Sequence, residues 1–150
     1  MAILLSGGAC SLIIIREIDR RYENVRALCE LIRLTKSLVE GFAMSAGDII
    51  GRCSWELLYS CGYSGDTLPQ SFSELVDSCE IEDESSREIM IEFSENFGRN
   101  YRTEQVRQCE YYLCRMSERE NFMAGSRSTQ KKLALTLSLS LALMLVILLL

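Results

Sequence analysis

Residues 20–42 read RRYENVRALCELIRLTKSLVEGF, and their spacing sets the fold class. Val25, Leu28, Ile32, Thr35, Leu38, Val39 and Phe42 recur at steps of three and four, which places them on one face of an α-helix. Gly41 weakens the end of that helix. Toward the C-terminus the same period returns. A second helix is expected over about 46–61, with Ile49, Ile50, Cys53, Leu57 and Leu58 inward and Trp55 at a boundary. GYSGDTLPQ, residues 62–70, is the only stretch rich in turn residues. Pro69, the sole proline, suits the first turn of a short helix over 70–79 carrying Phe72, Leu75 and Val76, with Thr67 as a candidate cap. An acidic linker, residues 80–84, follows. Ser85 and Glu88 then have capping-box spacing, opening a helix through Phe97 striped by Ile89, Met90, Phe93 and Phe97. Gly98 stands just past it, where a left-handed residue is needed. A last helix starts near Thr103, with Val106, Cys109, Leu113 and Met116 on its stripe and a hinge expected at Gly125 and Ser126. No segment alternates with period two for long enough to make a strand. The expected architecture is all-α: a small bundle of five to six helices.

The two ends differ from this middle. All 37 charged residues lie between Arg16 and Lys132. Leu133–Leu150 reads LALTLSLSLALMLVILLL, and 18 residues of helix reach roughly 27 Å, close to the hydrocarbon thickness of a bilayer. A C-terminal transmembrane helix is therefore expected over 133–150. Met1–Ile15, MAILLSGGACSLIII, is a shorter apolar stretch, expected to be an N-terminal membrane segment that either spans or lies on the bilayer. Both ends carry basic flanks on the side of the middle, Arg16, Arg20 and Arg21 at one and Arg127, Lys131 and Lys132 at the other. The positive-inside rule then puts residues 16–132 in the cytoplasm. The seven cysteines agree with a reducing compartment: their number is odd, and no CxxC occurs.

Composition also excludes several chemistries. There is no histidine, which removes the commonest general base and the Ser-His and Cys-His arrangements. Neither GxxxxGK[ST] nor GxGxxG is present. The net charge of −5 argues against a nucleic-acid partner, which would need a basic stripe. No metal or cofactor site is expected, since Glu82, Asp83 and Glu84 lack the alternation and glycine of a calcium loop. No enzyme is expected either, although a membrane-bound thiol enzyme using Cys53, Cys61 or Cys109 remains a conceivable alternative.

From Phe93 the chain reads FSENFGRNYRTEQVRQCEYYLCRM, and it ends KKLALTLSLSLALMLVILLL. This resembles the C-terminal half of the stage III sporulation protein AB family of endospore-forming bacteria. Phe93, Gly98 and Gln105 match that family's spacing, Phe97 replaces a leucine and Asn100 a serine. Residues 20–42 resemble the family's Arg-Tyr pair and first helix, and Ser45-Ala46-Gly47-Asp48 stands where a proline-led segment is usual. The resemblance implies a membrane scaffold subunit of a channel between mother cell and forespore, in the outer forespore membrane. Such proteins are similar to the helical domains of the type II secretion inner-membrane platform. The implied partners are a secretion-type ATPase and other channel subunits, a homo-oligomer stays open, and no catalytic residue is carried over. The alternative from the residues alone is a tail-anchored adaptor whose helical domain captures peptide helices.

Charge points to where a partner would dock. From Glu74 to Glu95 there are nine acidic residues against one basic, Arg87, whereas from Asn96 to Lys132 there are eight basic and four acidic. Glu80, Glu82, Asp83 and Glu84 in the turn, with Glu88, Glu92 and Glu95 on the helix after it, are the candidate docking residues for a basic partner.

Overall fold

Serine and aspartate side chains start four helices in the middle of this chain. Ser45 accepts from the Asp48 backbone N–H at 3.2 Å while the Asp48 carboxylate accepts from the Ser45 N–H at 3.3 Å, a reciprocal capping box that opens α2, Ala46–Ile50. Ser54 caps α3, Trp55–Ser60, and Ser71 caps α4, Phe72–Asp77. Asp83 caps α5, Glu84–Asn96, by accepting from the Ser86 N–H at 2.9 Å. Flanking them are α1, Ala2–Gly41, and α6, Arg102–Leu149. The computed structural model describes the backbone of residues 2–42, 44–99 and 101–149, and the side chains of 12–42, 44–99, 101–141, 143, 144 and 147. Among these residues all six elements are helices, and only an isolated bridge pairs Tyr63 with Cys79.

The chain divides into two compact units, Glu23–Asn121 and a terminal pair formed by Met1–Tyr22 and Phe122–Leu150. In Glu23–Asn121 the expected stripe of α1 is buried at Val25, Leu28, Ile32, Thr35 and Val39, and burial extends sideways to Ala27, Cys29 and Leu31. Phe42 falls outside it. The helix stops at Gly41, so Phe42 leaves the stripe and stands 61% exposed beneath the Arg52 guanidinium, 6.0 Å from the ring centroid. Buried Phe72 packs edge-on against Phe93 and Phe97, with centroids 5.1 and 4.7 Å away, and Tyr112 adds a fourth ring 5.7 Å from Phe93. Four aromatic rings in edge contact join α4, α5 and α6 into one core.

Several boundaries differ from expectation. Residues 46–61 form two helices because Gly51 closes α2 and Ser54 opens α3, while Cys53 is buried between them. Ser71 caps α4 in place of Thr67, whose carbonyl instead accepts from the Tyr63 hydroxyl. Asp83 caps α5 two residues before Ser85, so the Ser85–Glu88 box falls inside the helix. Gly98 takes the left-handed conformation expected of it, with φ of 83°. Gly62 does so too at φ of 91°. A Cβ there would lie 2.5 Å from the Glu80 carbonyl oxygen, so the chain crossing needs glycine.

The membrane segments are corrected. Among the described residues no helix is long and apolar enough to cross a membrane, so the transmembrane helix expected at Leu133–Leu150 is withdrawn, as is a membrane-spanning N-terminal segment. Residues 133–149 are the far end of the 48-residue α6, continuous with its charged part through Gly125 and Ser126. Thr136, Ser138 and Ser140 interrupt the apolar run, and their hydroxyls donate to the carbonyls of Lys132, Leu135 and Leu137. The side chains of residues 1–11, and of six among 142–150, lie outside the described residues.

Candidate functional site

The seven acidic residues singled out from charge do not form one surface. Asp83 is structural. Its carboxylate caps α5 and reaches across to α6, where both oxygens accept from the Arg119 guanidinium at 2.9 and 2.5 Å. Its side chain is only 10% exposed. Burial alone would raise the Asp83 pKa, but the Arg119 guanidinium and the Ser86 donors outweigh it and hold the carboxyl below the usual aspartate value. The same contact raises the Arg119 pKa. Glu92 stays exposed but pairs with Arg115 of α6. One turn further on, the Asn96 amide donates to the Tyr112 hydroxyl at 2.9 Å. The N-cap of α5 and two turns near its C-terminal end are thus tied to α6 by polar contacts.

The remaining residues separate from these two. Glu84, Glu88 and Glu95 lie on the exposed face of α5 at intervals of four and seven, with exposed Ile91 and the Arg115-paired Glu92 between the last two. Glu80 is exposed at the preceding turn, where its backbone N–H donates to the Gly62 carbonyl at 2.9 Å. None of these four carboxylates makes an ion pair among the described residues. Glu82 is half-buried in the same turn. The sequence carried only part of the signal that divides the set: Asp83 and Ser86 have cap spacing, whereas Glu92, four residues after Glu88 and three before Glu95, shares their helix face and is set apart only by Arg115 of α6.

The cysteines are placed as packing residues. Cys53, Cys61 and Cys109 are buried, and burial pushes Cys53 and Cys109 up to about 11 and Cys61 well above its ordinary value. Half-buried Cys79 rises to about 12 for the same reason. This is the opposite of the thiolate stabilisation a nucleophilic cysteine needs. Cys114 is exposed. Among the described residues no three Cys, Asp or Glu side chains are grouped to hold a metal ion.

No curated protein and no solved structure matches this chain. The family model of stage III sporulation protein AB matches residues 1–150, the whole length, so the features seen from Phe93 to Met116 and from Arg20 to Phe42 are parts of one continuous likeness. The chain therefore belongs to the stage III sporulation protein AB family and has a role in sporulation.

Proposed function

We propose that this protein is a non-enzymatic scaffold subunit of a secretion-like channel complex needed for endospore formation. It acts at the mother-cell side of the outer forespore membrane, with Glu23–Asn121 in the cytoplasm, and docks a secretion-type ATPase and other channel subunits. The observation that carries the docking reading is the outer face of α5. Glu84, Glu88 and Glu95, with Glu80 in the preceding turn, are exposed and pair with no arginine among the described residues, while Asp83 and Glu92 of the same segment are committed to α6. A field of one sign on a rigid helix steers and orients a basic partner, and the effect weakens with salt. The basic flanks at Arg16–Arg21 and Arg127–Lys132 would be drawn to an anionic lipid surface.

The test is capture of the sporulation ATPase by the full chain. Replacing Glu84, Glu88 and Glu95 together by Lys should abolish capture, and Asp83 must be left intact because its loss would unseat α5. Capture that survives the triple change with the same salt dependence removes the docking reading.

A further inference from the structure

The terminal pair, Met1–Tyr22 with Phe122–Leu150, leaves apolar surface uncovered. A groove of about 440 Å³ opens along it, with Ile14 and Ile18 of α1 on one wall and Leu133, Leu137 and Leu141 of α6 on the other, beside the small Ala134. Ile14, Leu133, Leu137 and Leu141 are between 47 and 62% exposed. Apolar surface left open in this way marks an interaction site. Each wall steps along its helix by four residues, which is the spacing of a ridge that interdigitates with a row on a neighbouring helix. Two helices leave this seat open, and a third helix would fill it. A bilayer surface is flat at this scale and would not.

Charge says what the third helix carries. The pair holds six basic residues and two acidic, and all eight lie at one end, within Arg16–Arg21 and Arg127–Lys132. Both carboxylates are taken. Glu17 pairs with Arg20 and Arg21, and Asp19 accepts from Arg127 at 2.6 Å and from Lys131 at 2.7 Å. Arg16 and Lys132 are exposed and make no ion pair among the described residues. Before Arg16 and after Lys132 no charged side chain occurs. The complementary helix is therefore apolar along its length and acidic at one end. A second copy of this chain does not meet that description. Parallel packing would set basic end on basic end, and antiparallel packing would lay the basic end on the apolar run.

We propose that the groove of the terminal pair seats an apolar helix of a partner protein whose end carries acidic residues, set against Arg16 and Lys132. The groove shares no residue with the α5 face, so either can be lost without the other.

The experiment follows the fluorescence anisotropy of a labelled leucine–alanine helical peptide with three glutamates at its N-terminus, titrated with the full chain. Saturable binding is expected. Replacing the glutamates by lysines should weaken it by about fivefold. Leu137→Gln with Leu141→Gln, both at exposed positions, should weaken it by about tenfold through lost apolar burial, with helix content checked by circular dichroism. Arg16→Gln with Lys132→Gln should weaken it about threefold to fivefold and flatten its salt dependence. Glu84→Gln, Glu88→Gln and Glu95→Gln should leave it unchanged, which separates this site from the α5 face. Absence of binding, equal affinity for the two peptides, or unaltered affinity of the Leu137–Leu141 double variant overturns the proposal. Sedimentation showing a dimer without peptide that the same double variant loses would assign the groove to a second copy of this chain. Displacement of the peptide by vesicles of anionic phospholipid would assign it to a lipid surface. Either outcome also overturns the proposal.

Discussion

Glu23–Asn121 and the terminal pair contain apolar side chains of the same kinds and treat them in opposite ways. In Glu23–Asn121, Leu28, Leu31, Ile32, Leu58, Leu75, Met90 and Phe93 are at most 1% exposed. In the terminal pair Leu133, Leu135, Leu137, Leu139 and Leu141 are between 49 and 62% exposed, and Ile13 is 66%. Hydrophobicity does not explain the contrast. Two helix segments can cover only one stripe of each other, and leucines at every second position spread around a helix and do not line one stripe. An open apolar groove of about 440 Å³, lined by Ile14, Ile18, Leu133, Ala134, Leu137 and Leu141, marks what the pair leaves uncovered. Polar contacts hold this pair at its charged end. Asp19 accepts from Arg127 at 2.6 Å and from Lys131 at 2.7 Å, and Arg127 lies 4.7 Å from the Tyr22 ring centroid. Burial thus depends on how many elements surround a side chain, and the two units should respond differently to substitution.

The largest effect is expected from Phe93→Ala. Phe93 is 1% exposed and touches Phe72, Phe97 and Tyr112, so truncation opens a cavity at the junction of α4, α5 and α6. Denaturant unfolding should show a loss of about 3–5 kcal/mol. A loss near 1 kcal/mol would mean that this core is as loosely covered as the terminal pair.

Next comes the Asp83–Arg119 contact. Asp83→Ala removes a helix cap and one side of a largely covered ion pair, and should cost about 2–4 kcal/mol. Asp83→Asn keeps a cap and should cost less. The folded state holds the Asp83 pKa below its usual value, so ionised Asp83 is the favoured form. Its contribution is present above about pH 4 and lost as pH falls through the lower folded value. Acid titration of unfolding should therefore be shallower for Asp83→Asn than for the unaltered chain. Parallel curves would show that Asp83 stabilises only as a cap.

The smallest effect belongs to Asp19→Asn. The Lys131 and Arg127 contacts lower the Asp19 pKa, but the group faces solvent and salt screens such pairs. The main unfolding transition should move less than in either variant above, while amide exchange quickens at residues 16–22 and 122–131. A drop in midpoint equal to that of Asp83→Ala would erase the distinction between the two units.

Much of this molecule is legible in the residues taken in order. The period of Val25, Leu28, Ile32 and Val39 and the glycine at position 98 depend only on local geometry, and each has its counterpart in the fold. The caps Ser45 and Ser71 are equally local, but neither stands out in the residues taken in order, where Thr67 is the expected cap in place of Ser71. Local rules also compete, and order along the chain does not say which wins. Ser85 with Glu88 has box spacing, yet Asp83 caps α5 because Arg119, 36 residues away, is there to share its carboxylate. Trp55 and Tyr59 of α3 are left exposed while Leu58 between them is buried, a choice made by what packs against α3. The acidic run from Glu74 to Glu95 reads as one charged surface in sequence, but α6 takes Asp83 and Glu92 from it and leaves Glu84, Glu88 and Glu95 outside. The apolar end at 133–150 has the composition of a spanning helix, and the structure makes residues 133–149 the serine-interrupted continuation of α6. Helix formation and capping are decided within a few residues. Which charges are neutralised, which rings are covered and which apolar faces find a partner are decided by residues distant in sequence, and those choices are made only by the tertiary structure.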